Sequence, residues 1–198
     1  MKNRITAVAA AVLSFAAANA MAAPGDVIGG GNIEFKGKVN SDTCYVQSST
    51  GDAKVILVEM GEVNTADLTN STLATPAMPQ GGDFGAATFE VTCSAATNVE
   101  MKFAAAASQL ETGNKVLKLN GGSTGPTLAG GLGIAVYPDR SNATATSAFD
   151  LSTGALFAAN LTAGQKVRAK FAAAYVKTTG DVKAGTANAT LPFVIVTQ

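Results

Sequence analysis

The sequence predicts an all-β chain built as an antiparallel sandwich, and two observations carry that reading. Short runs of alternating apolar and polar residues recur along most of the chain, separated by Gly, Asn, Ser, Thr and Pro. A period of two with turn residues between runs marks half-buried strands joined by short connections. Helical periodicity is scarce, with only residues 104–109 and the alanines near Ala145 offering a short turn.

Residues 1–22 read as a secretory signal peptide. Lys2 and Arg4 supply the positive start, an uncharged apolar stretch follows, and Ala20-Met21-Ala22 gives the small-x-small cleavage pattern. The apolar run is shorter than the roughly 20 residues a membrane span requires. What remains of the 198 residues is enough for one ordinary domain. Basic and acidic residues balance at 14 each, and no Lys/Arg-rich run exists to neutralise phosphates, so nucleic acid is excluded as a partner.

Residues 27–39 follow. Every second residue from Val27 through Gly29, Gly31, Ile33, Phe35 and Gly37 to Val39 falls on one face, opposite Asn32, Glu34, Lys36 and Lys38. This is a half-buried strand pattern. The three glycines at 29–31 weaken its local preference for structure, so a neighbouring surface is needed to order it. The segment reads as a strand without a partner in its own chain.

The other candidate strands are 33–47, 54–60, 84–93, 98–105, 115–119, 131–137, 155–159, 165–177 and 187–197. Residues 64–82, with Pro76, Pro79 and a Gly pair, read as an ordered loop or short helix plus loop. Alternation is clearest in Val99-Glu-Met-Lys-Phe103 and in residues 167–175, each expected to put one face into a core and the other into water. The last run places Ala187, Ala189, Leu191, Phe193 and Ile195 on one face with Thr197 in phase, and Pro192, which has no N–H, points to a sheet edge. An apolar edge needs a cover. The chain thus has a spare strand at its front and an edge strand at its back.

Cys44 and Cys93 are the two cysteines. In an exported chain an even pair is most simply one disulfide. A metal site is the competing reading, but the chain has no histidine and no CxxC. The missing histidine also rules out Ser-His-Asp and Cys-His catalysis. The Gly-rich stretch 121–133 lacks the Lys-Ser/Thr of a phosphate loop and reads as a surface connection. Asp139-Arg140 reads as an exposed turn ion pair of little energetic weight. No cofactor is expected.

Several stretches together carry a family resemblance. They are Gly30-Gly-Asn-Ile-Glu-Phe-Lys-Gly-Lys-Val39 followed by Cys44, Phe89-Glu-Val-Thr-Cys93, Gly133-Ile-Ala-Val-Tyr-Pro-Asp-Arg140, Ala173-Ala-Tyr-Val176 and residues 185–198. The chain resembles the pilins of the chaperone-usher family and is similar to the major subunit of type 1 fimbriae. The resemblance implies an incomplete immunoglobulin-like β-sandwich, lacking its seventh strand and completed by donor strand exchange. It divides the chain into signal peptide 1–22, donor extension 23–36 and pilin domain 37–198. It implies that Val27, Gly29, Gly31, Ile33 and Phe35 face a neighbour's groove, and that Gly185, Ala187, Ala189, Leu191, Phe193, Ile195 and Thr197 form the terminal strand a chaperone binds. Thr197 stands where the family usually has an aromatic.

The implied partners are identical or related pilins in a head-to-tail polymer, a periplasmic chaperone, an outer-membrane usher, and host-cell receptors through the fibre tip. The implied route is export through the periplasm to a fimbrium on the surface of a Gram-negative cell. The alternative is a minor or tip adhesin-like subunit binding host carbohydrate, disfavoured by the single domain, the donor extension and the absence of Trp, the best sugar-stacking side chain. A secreted sandwich hydrolase finds no clustered carboxylates to support it.

Overall fold

The structure is a computed structural model that describes residues 44–48, 55–81 and 85–197. The expected signal peptide and the expected donor-strand residues Val27, Gly29, Gly31, Ile33 and Phe35 lie outside the described residues. In chain order the elements are β1 (Cys44–Ser48), the one-turn helix α1 (Thr65–Leu68), β2 (Ala86–Cys93), β3 (Thr97–Phe103), β4 (Leu117–Lys118), β5 (Leu132–Tyr137), β6 (Ala155–Leu161), β7 (Lys166–Lys177) and β8 (Phe193–Thr197). Single 3₁₀ turns occupy Ala107–Gln109 and Leu119–Gly122.

Every strand pairing is antiparallel. One sheet runs β1-β2-β7-β5-β4 and the other β6-β3-β8. The sheets meet through side chains at alternate positions. From β2, Phe89, Val91 and Cys93 point inward, and from β3, Val99, Met101 and Phe103 do so, with no residue of either set above 4% exposed. Phe89 joins the layers directly, its ring tilted against Phe171 of β7 and Phe157 of β6 at 6.3 Å each. The polar alternates Glu100 and Lys102 pair with each other at 2.9 Å on the outer face of β3.

Cys44 and Cys93 are joined, in register across β1 and β2. The bond closes a separation of 49 residues and removes about 4 kcal/mol of unfolded-chain freedom on the chain-entropy account.

β7 departs from simple alternation. From Lys166 to Phe171 it alternates as expected, but Ala172 to Val176 are buried on both faces, as is all of β5. Residues 71–80 supply the outer cover. Ala77 bridges Tyr175, Leu73 and Met78 pack on Tyr137, Ala174 and Val176, and the Tyr137 hydroxyl donates to the Leu73 carbonyl at 3.1 Å. Burial pushes the Tyr137 phenol up to about 12. Arg140 donates to the Pro79 carbonyl at 2.7 Å while Asp139 accepts from Ser141 Oγ and the Asn142 N–H. The expected Asp139-Arg140 turn pair is therefore replaced by separate partners, because the strap brings its own acceptor.

Two strand expectations are corrected. Residues 55–60 alternate in exposure, with Ile56, Val58 and Met60 turned to the core, yet they join no ladder among the described residues. The run 187–197 narrows to Phe193–Thr197, for reasons that belong to the site.

Candidate functional site

The site is built from the last strand and the segment leading into it. β8 pairs with β3 on one side, in the register Phe103↔Phe193, Met101↔Ile195 and Val99↔Thr197. Its other edge carries no ladder among the described residues. Phe193 and Ile195 turn inward against the cluster of Val46, Phe89, Met101 and Leu161 but remain half-buried. Val194, between them, is 44% exposed. Thr197 is exposed at the open end.

Before Pro192 the chain leaves the ladder. Pro192 has no N–H to give, and its carbonyl accepts from the Ala104 N–H at 2.9 Å. Further back, Asn120 holds the segment with three bonds: its N–H to the Asn188 carbonyl at 2.6 Å, its side-chain amide to the Thr186 carbonyl at 2.9 Å, and its Oδ1 from the Asn188 N–H at 3.3 Å. Asn120 sits at a positive φ of 52°, tolerated because its short side chain bonds locally. Leu128 and Gly130 form isolated bridges to Thr186 and Lys183. Ala187 and Leu191 are partly buried against the second half of the core, while Ala189 is exposed.

Gly185 is the point of closest approach. It has φ +154°, and a Cβ there would lie within 2.6 Å of the Thr127–Ala129 backbone. Glycine is required at this crossing whatever binds nearby. The sequence reading did not find the partner of this segment. The Gly-rich stretch expected to be a plain connection is its backing, and the glycines at 130 and 131 were the signal available.

A cleft of about 680 Å³ opens beside residues 183–188, lined by apolar Val63, Leu68 and Leu132 and by polar Glu62, Gln80 and Lys183 among others. Among the described residues no group of His, Cys, Asp and Glu has the arrangement of a metal site. The β8 edge offers backbone groups with half-buried apolar side chains behind them, which is the chemistry of strand addition.

A family model described as fimbrial protein matches residues 33–198. Among solved structures, the chain is similar to one from a chaperone-usher pilus studied for the molecular basis of rod uncoiling. The TM-score is 0.52 and the identity 18%, over 89% of this chain and 100% of that one. It is also similar to the P pilus rod subunit PapA, with TM-score 0.52 and 16% identity over 79% of this chain and 100% of that one. At such identities the likeness speaks for the fold, and no curated protein matches. The family match over most of the chain and the shared sandwich lead to one conclusion: the chain belongs to the fimbrial protein family, as a structural, non-enzymatic member with the incomplete immunoglobulin-like pilin fold.

Proposed function

We propose that this subunit polymerises head to tail by donor strand exchange. Residues 23–36 of one copy add to the open edge of β8 in the next, with Val27, Gly29, Gly31, Ile33 and Phe35 facing its core. The observation that supports this most is the one-sided pairing of β8 among the described residues, with Phe193 and Ile195 left half-buried. Burying Val27, Ile33 and Phe35 contributes on the order of 1.5–3 kcal/mol each before ordering costs, comparable in sum to the whole margin of a small domain. A heterologous contact that does not close gives an open filament.

Before assembly the same edge is the surface for a periplasmic chaperone, along residues 185–197, and an outer-membrane usher passes the subunit to the cell surface. The chain then serves as a structural element of the extracellular fibre, whose tip makes the contact with host-cell receptors.

Deletion of residues 23–35 tests the mechanism. The truncated subunit is expected to be captured by its chaperone yet fail to extend a fibre, read by electron microscopy and SDS-resistant ladders. Normal fibres from that truncation sink the proposal.

A further inference from the structure

Charge is distributed unevenly in this neutral chain. Between residues 55 and 101 there is no Lys or Arg, while Glu59, Glu62, Asp67, Glu90 and Glu100 all fall there. Of the cations that follow, three, Lys166, Arg168 and Lys170, occupy alternate positions of β7. Alternate positions share a face, and all three are exposed. Opposite them in register on β2 stand Thr92, Glu90 and Thr88. Glu90 is shared by two of the cations, at 3.4 Å from Lys166 Nζ and 3.2 Å from Arg168 Nη2. Asp139 feels the charge of Lys170, but its carboxylate is taken by Ser141 and Asn142. The stripe therefore keeps an excess of positive charge.

Glu59, Glu62 and Asp67 are exposed, and none of them makes an ion pair among the described residues. Glu62 and Lys183 both line the cleft described above. The segment that carries these three acids is attached beside the far half of β7: the Gly85 N–H donates to the Glu59 carbonyl, the Gly85 carbonyl in turn accepts from the Ala173 N–H, and Leu68 of α1 belongs to the same core cluster as Ala173 and Tyr175. From Lys170, the nearest cation of the stripe, to Ala173 is roughly 10 Å along a strand at about 3.3 Å per residue. Screening at physiological salt acts over about 8 Å. Neither set neutralises the other within one subunit.

We propose that the Lys166-Arg168-Lys170 stripe docks on the Glu59-Glu62-Asp67 ridge of a second copy of this chain, side by side in the fibre and separate from the strand-donation contact. The inference rests on the polymer proposed above, which holds copies close enough for weak contacts to act together. Single exposed pairs are weak and salt-sensitive. Repeated along a filament they set how its copies pack.

The test uses full-length chain assembled into fibres on cells, with three charge sets: Lys166→Glu, Arg168→Glu and Lys170→Glu together; Glu59→Lys, Glu62→Lys and Asp67→Lys together; and all six. Either half alone is expected to give fibres with undiminished SDS-resistant linkage but loss of compact packing in electron micrographs. Molar salt is expected to produce the same loosening in wild type, and the six-fold variant is expected to restore packing. Unchanged packing in both half-sets, or no restoration in the six-fold variant, overturns the contact. SDS-resistant linkage reports on strand donation and packing on this contact, so the two readings fail separately. Should a half-set misfold, Lys166→Gln with Arg168→Gln and Lys170→Gln replaces it, and compact fibres from that set count against the proposal.

Discussion

β3 and β8 lie side by side with the same alternation, yet one is finished and the other is not. Val99, Met101 and Phe103 are 4% exposed or less, whereas their register partners Ile195 and Phe193 are half-buried and Val194 is 44% exposed. β3 has a ladder on both sides, to β6 and β8, and β8 has one among the described residues. The difference teaches that β8 carries the hydrophobic pattern of an interior strand in the position of an edge strand. Its sequence is written for a sheet larger than the described part of one chain provides.

The largest effect comes from breaking the finished side. Phe103→Ala is expected to cost about 3–5 kcal/mol in urea unfolding of the purified mature chain, because the packed site cannot collapse around the cavity. Phe193→Ala, its register partner, is expected to cost under about 1 kcal/mol there and to approach the Phe103 value only in assembled fibre. Equal costs in the single chain would erase the distinction between the strands. Gly185→Ala probes the entry to β8 rather than its edge. It is expected to lower stability by about 3 kcal/mol through collision with the Thr127–Ala129 backbone. A loss of chaperone capture without loss of stability would assign that glycine to the partner instead of the crossing.

A smaller effect than that of Phe103 or Gly185 concerns the outer cover of β5 and β7. Tyr137 titrates in the fold at about 12 against an ordinary 10.0, raised by burial. Its contribution is complete below the unfolded value and is lost as pH rises through the folded one. Stability is therefore expected to fall by about 2 kcal/mol between pH 10 and 12, and Tyr137→Phe to flatten that part of the profile. An identical profile in the variant would mean the buried phenol is not the group responsible.

The fold class, the β3 alternation and the Cys44–Cys93 bond were all legible in the sequence. Each rests on local periodicity, or on a pair with no competing partners. Less legible were features set by partners distant in the chain. Ala172–Val176 read as an alternating strand because small side chains do not reveal that residues 71–80 cover their outer face. Residues 187–192 continue the period of two, but Asn120 and the Ala104 N–H take backbone groups that a ladder would have used. In residues 55–60 the alternation is present and the ladder is not. Periodicity reports which way side chains face, and not which chain supplies the hydrogen bonds.

The covering of β5 and β7 has a consequence for how many copies one subunit engages. A sheet face carrying Ala172, Ala174 and Val176 would offer a flat, sticky plane to any similar sheet. With residues 71–80 strapped over it, that plane is closed, and attraction is concentrated at one rim. Particles that attract through their broad faces clump; particles that attract through a rim make thread.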